Sequence, residues 1–196
     1  MALGRRRLYL AGFLVVSALT VACGDDPPQS EIQQAQSAID AARAAGADDY
    51  AHDELAAAEG ALAHARAAVE QRDYRLALNH SLDSRERAQT AATQAASQKA
   101  AARLDAERAL GTAASTLAEA RATFKAAQTS GAPARRLAAA QRNITAADQA
   151  VQKARAAFNQ GSFRDIRQAL NEPMARLAAT SRDLEAAPRL AARRPR

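Results

Sequence analysis

The chemistry this sequence could perform rests on few side chains: one thiol, Cys23, and three imidazoles, His52, His64 and His80. The histidines share no metal-ligand spacing, and no second cysteine completes a zinc set. They read as exposed or helix-flanking residues. There is no G-x-S-x-G elbow, no phosphate-cradling glycine loop and no H-E-x-x-H. Acidic residues are scattered among arginines at helical spacing, as in Glu70 with Arg66 and Arg103 with Glu107. That pattern suits solvated helix faces better than paired catalytic carboxylates. The expectation is therefore a protein that is not an enzyme, with no catalytic, cofactor-binding or metal-ligating residues and no cofactor. Cys23 is the one reactive group with a role to explain, and its flanks supply it.

Residues 1–22 have the three parts of a secretory signal peptide: Arg5-Arg6-Arg7, the apolar stretch Leu8 to Val16, and small residues towards Ala22. The apolar stretch falls short of the ~20 residues that a spanning helix needs. Leu19-Thr20-Val21-Ala22-Cys23-Gly24 resembles the lipobox of bacterial lipoproteins, matching at Val21, Ala22 and Cys23. Thr20 departs from it, standing where leucine is usual. The resemblance implies that Cys23 is lipidated and becomes the mature N-terminus. Two or three acyl chains, at ~0.8 kcal/mol per buried CH₂, would hold such a chain on a membrane. Residues 23–29 then form a polar stem with Asp25-Asp26-Pro27-Pro28. In the enterobacterial sorting rule an Asp directly after the Cys retains a lipoprotein in the inner membrane. Gly24 holds that place, so the expected address is the outer membrane, facing the periplasm.

The formal charge of +6 and a pI near 10.2 invite a nucleic-acid reading. The basic excess is terminal, however. Arg5, Arg6 and Arg7 belong to the signal peptide, and Arg189, Arg193, Arg194 and Arg196 belong to the tail, residues 188–196. Without those seven, the body has 20 basic and 21 acidic residues. No nucleic-acid partner is expected. The tail reads as a soluble basic end; the other reading is contact with an anionic surface. It ends in Arg, where the helical lipoproteins that staple the outer membrane to peptidoglycan attach through a Lys, so that linkage is not expected.

Alanine accounts for 57 of the 196 residues and aromatics for 4%, which disfavours a β-sandwich or barrel. From Ser30-Glu31-Ile32-Gln33, which reads as a capping box, a heptad runs through nearly the whole body. One seam position takes a large residue and the other takes alanine. Ile32 and Ile39 pair with Ala35 and Ala42; Leu55, Leu62 and Val69 with Ala58 and Ala65. Leu110, Leu117 and Phe124 pair with Ala113, Ala120 and Ala127; Leu137, Ile144, Val151 and Phe158 with Ala140, Ala147 and Ala154. Strict seven-residue spacing implies left-handed supercoiling, and alanine seams let helix axes approach closely. The core is expected to be thin.

Breaks are expected at Gly46-Ala47-Asp48-Asp49, at Gln71-Arg72-Asp73, over Thr129 to Pro133 and at Gln160-Gly161-Ser162, with Pro188 ending the last helix and Pro173 kinking it. Tyr74 to Gln128 shows no comparable stop, so one long helix is predicted there. Its first half has a small-residue stripe through Tyr74, Ala77, Ser81, Ser84, Ala88, Ala91 and Ala95, widened by Leu78 and Leu82. The halves echo each other: Leu55-Ala56-Ala57-Ala58 matches Leu137-Ala138-Ala139-Ala140, and Gln71-Arg72-Asp73-Tyr74 matches Gln160-Gly161-Ser162-Phe163. The fold class is all-α: elongated antiparallel coiled-coil helices in two three-helix units, residues 30–102 and 103–187, sharing the long central helix. Two hairpins stacked as in a solenoid are the other arrangement compatible with the pattern.

Ala44-Ala45-Gly46-Ala47-Asp48-Asp49-Tyr50-Ala51-His52-Asp53-Glu54-Leu55, followed by Asp73-Tyr74-Arg75-Leu76-Ala77, resembles a family of alanine-rich helical lipoproteins of Gram-negative bacteria. That family is a domain of unknown function often found ahead of an OmpA-like domain. His52 stands where the family usually has Pro, and Arg72 where it usually has Gly. No OmpA-like segment follows, so peptidoglycan binding is not implied. The expected function is that of a lipid-anchored periplasmic spacer or protein-docking scaffold, held to the membrane through Cys23 and meeting a protein partner of the envelope. The alternative is a solenoid-like binding module for a peptide or envelope polymer, for which a concave face with Tyr50, Tyr74 and exposed arginines would speak.

Overall fold

Six helices follow one another along the chain: α1 (Gln29–Ala44), α2 (Ala47–Tyr50), α3 (His52–Glu70), α4 (Tyr74–Thr129), α5 (Ala134–Asn159) and α6 (Ile166–Ala191). The structure is a computed structural model that describes residues 26–191, with side chains to residue 186. The signal peptide, Cys23 and Gly24 lie outside the described residues, as do residues 192–196 of the tail. Among the described residues there is no strand, and no helix is long and apolar enough to cross a membrane.

The fold is all-α, and α4 is common to two packed groups. In the first, Ala35, Ile39 and Ala42 of α1 meet Leu55, Ala58 and Leu62 of α3 and Ala88, Ala91 and Ala95 of α4. In the second, α4 presents Ala106, Ala113, Leu117, Ala120 and Ala127 to α5 and α6. Ile144, Ala147 and Val151 face them from α5, and Leu170, Leu177 and Leu184 from α6. In α1, α3 and α5 buried heptad residues alternate large and alanine, as in Ile39 with Ala42, Leu55 with Ala58 and Ile144 with Ala147, whereas the first half of α4 buries only Ala77, Ser81, Ser84, Ala88, Ala91 and Ala95. Alanine buries little area, at roughly 25 cal/mol per Å², so high helix propensity must supply part of the stability.

The turns show why the repeat in sequence is a repeat in structure. At the α3–α4 turn Arg72 N–H donates to Val69 O and Asp73 N–H to Ala68 O. At the α5–α6 turn Gly161 N–H donates to Phe158 O and Ser162 N–H to Ala157 O. Both are Schellman motifs, which need a left-handed residue after the helix. Gly161 supplies it at φ +82° and Arg72 at φ +59°. Asp73 then caps α4, its Oδ1 accepting from Leu76 N–H at 2.9 Å.

Several local expectations are corrected. The capping box does not form: α1 starts at Gln29, the Pro28 carbonyl accepts from Ile32 N–H, and no side chain caps the helix. Proline therefore opens the helix two residues earlier and leaves Ser30 inside it. The Gly46–Asp49 break contains the short helix α2, and α6 begins only at Ile166, after a turn over Phe163–Asp165. Pro188 does not end α6, which continues to Ala191. Its missing N–H removes a single bond near the helix end. Pro173, where a kink is expected, lies within α6, with Leu170 and Leu177 on either side both buried. Leu78 and Leu82 do not widen the core: they are 36% and 40% exposed. The seam runs through Ala77 and Ser81, and one further residue turns a side chain about 100° away. Arg66 reaches across to α1, donating to Gln36 Oε1 at 2.9 Å, whereas Arg103 pairs with Glu107 at 3.0 Å as expected.

Candidate functional site

Between Ala95 and Ala106 no residue of α4 is buried. This waist separates the two cores, and Gln98, exposed, interrupts the small-residue stripe there. One arginine bridges it. Arg164, from the turn before α6, donates through Nη1 to the Asp49 backbone carbonyl and sets its guanidinium carbon 5.9 Å from the centre of the Tyr50 ring. Tyr50 is only 9% exposed, so the cation lies over an aromatic face largely removed from water, within cation–π range.

Clefts open on the sides of this pair. One of them, of about 480 Å³, has Ala154 and Ala157 of α5, Phe163 and Ile166 on its walls, with Lys153 and Asp165 among its charged groups. Phe163 is itself fixed edge-on by Phe158, ring centres 5.1 Å apart. Its volume lies in the usual range for small-ligand sites, which favour junctions between packed units. Neither Lys153 nor Arg164 forms an ion pair with a described carboxylate, and neither do Asp49 and Asp165 with a described cation. The cleft thus offers apolar walls between charges of both signs. Tyr74 is not part of it: it lies roughly 30 Å along α4 from Gln94, which borders the neighbouring cleft beside Tyr50.

The other candidate residues fall elsewhere. His52 opens α3 beside that neighbouring cleft. His64 and His80 come together across the α3–α4 hairpin with ring centres 5.5 Å apart. Sequence spacing gave no sign of this pairing, although both histidines lie seven residues from the turn, which could have signalled it. Among the described residues no group of three or more His, Cys, Asp or Glu could hold a metal ion. Arg87, at the surface, has its pKa raised by its hydrogen bonds to Asp83, at 3.0 and 3.1 Å; it is a cation in any case.

The arrangement defines a class: an all-α protein of two helical units on one common helix, with clefts at their junction. Residues 30–109 match the domain of unknown function DUF4398. The match covers α1, α2, α3 and the first 36 residues of α4, and thus the first unit together with the waist. Neither a curated protein nor a solved structure matches the chain.

Proposed function

We propose that the protein is a lipid-anchored spacer or docking scaffold of the bacterial cell envelope, without catalytic activity, facing the periplasm from the outer membrane. The observation that carries this reading is α4: 56 unbroken helical residues, about 84 Å at 1.5 Å per residue, supported in turn by α1 with α3 and by α5 with α6. A helix of that length sets a distance, and the packed units keep it stiff. The lipobox-like segment ending at Cys23 supports the anchor, Gly24 supports the outer-membrane address, and the exposed leucines Leu78 and Leu82 on α4 support contact with a protein partner.

Two experiments test it. Radioactive palmitate should label the wild-type chain and leave Cys23→Ala unlabelled; equal labelling removes the anchor. Crosslinking in intact cells should recover an envelope protein, and recovery of lipid alone removes the scaffold. A second reading, a binding module for a peptide or envelope polymer, is favoured by the junction cleft beside Tyr50. In that case Tyr50→Ala would abolish capture of the partner while leaving palmitate labelling intact.

A further inference from the structure

The α3–α4 hairpin places His64 and His80 opposite each other, ring centres 5.5 Å apart and planes inclined by 38°. We propose that these two imidazoles form a binding site for a borderline divalent transition-metal ion such as Zn²⁺. A metal about 2 Å from one nitrogen of each ring would sit roughly 3.2 Å from each ring centre, so with each ring turned to aim a nitrogen at the ion, the 5.5 Å separation would give an N–metal–N angle of roughly 120°. That is near the tetrahedral arrangement zinc adopts, and imidazole is a preferred ligand of zinc, nickel and copper.

The backbone holds the pair in place. Each histidine is seven residues from the turn, which is fixed by the Schellman bonds at Arg72 and Asp73 and by the Asp73 cap. The flanking residues Ala61, Ala65 and Ala68 of α3 and Ala77, Ser81 and Ser84 of α4 are buried in the seam, which sets the distance between the helices. His64 is exposed and His80 half-buried, so an ion can reach them from solvent. Asp83, one turn after His80, is engaged by Arg87, which leaves the remaining coordination positions to water. The ion would clamp α3 to α4 at the end of the first unit. Because binding requires the folded hairpin, it would stabilise that end in proportion to metal concentration.

The test uses the purified full-length chain without a polyhistidine tag, titrated with zinc chloride and followed by calorimetry and by thermal unfolding. One ion per chain should bind, and the unfolding temperature should rise. His64→Gln and His80→Gln should each weaken binding roughly tenfold or more and abolish the temperature rise, whereas His52→Gln should do neither. Circular dichroism of each variant without zinc should match wild type, so that lost binding is not lost folding. Zinc uptake unchanged in His64→Gln and His80→Gln, a loss as large in His52→Gln, or no uptake at millimolar zinc would each overturn the proposal.

Discussion

Replacing Arg72 by glycine should make the protein more stable. Arg72 is exposed, forms no side-chain hydrogen bond or ion pair among the described residues, and holds φ at +59° to close the α3–α4 turn. A side chain in the left-handed region costs roughly 1–2 kcal/mol through crowding of Cβ against the backbone. Glycine removes that strain but adds freedom to the unfolded chain, worth roughly 0.5–1 kcal/mol in the opposite direction. The net gain expected for Arg72→Gly is about 0.5–1 kcal/mol, or roughly 1–4 °C in unfolding temperature for a chain of this size. The structure supplies its own mirror experiment. Gly161 occupies the equivalent place in the second unit at φ +82°, and a Cβ there would meet nothing within 4 Å. Gly161→Arg should therefore lose a similar amount through the backbone alone, with no clash contributing. Urea and thermal unfolding of both variants against wild type measure the two effects. A less stable Arg72→Gly, or a neutral Gly161→Arg, would refute the assignment of the strain to the turn.

Other substitutions probe the packing. Leu177 is fully buried in a cluster with Leu117, Ile144 and Ala147, so Leu177→Ala leaves a cavity among them and should cost about 2–5 kcal/mol by chemical denaturation. Ser84→Ala should cost only about 0.5–1.5 kcal/mol: it removes the 2.7 Å bond from Ser84 Oγ to Ala58 O, while that carbonyl keeps its partner within α3. A loss above that range would show that Ser84 also sets the helix spacing. Gly111, inside α4 with open space where a Cβ would go, should gain about 0.5–1 kcal/mol on change to Ala, read as a higher unfolding temperature.

The sequence by itself determined most of the helical frame. Helix periodicity is local information, so Ile39, Leu55, Leu117, Ile144, Val151 and Leu177 could be assigned to one face without knowing what they touch. The turns were legible for the same reason: Gln71-Arg72-Asp73 and Gln160-Gly161-Ser162 interrupt the apolar period, although the left-handed backbone at Arg72 is visible only in the structure. Burial near α4's start was harder to read. Ser81 and Ser84 are buried while Leu78 and Leu82 are exposed, because close helix approach admits only small side chains at the seam.

Only the tertiary structure decided which side chains meet across helices. The bridge from Arg164 to Asp49 and Tyr50 spans 115 residues of sequence. The junction cleft it borders depends on how the turn before α6 lies beside α2. His64 and His80, unremarkable along the chain, face each other because the turn between them is tight and the alanine seam fixes their register. A heptad states which face of a helix is inward; the rotation and shift of one helix against another come from packing between distant segments, and with them come the contacts that can bind.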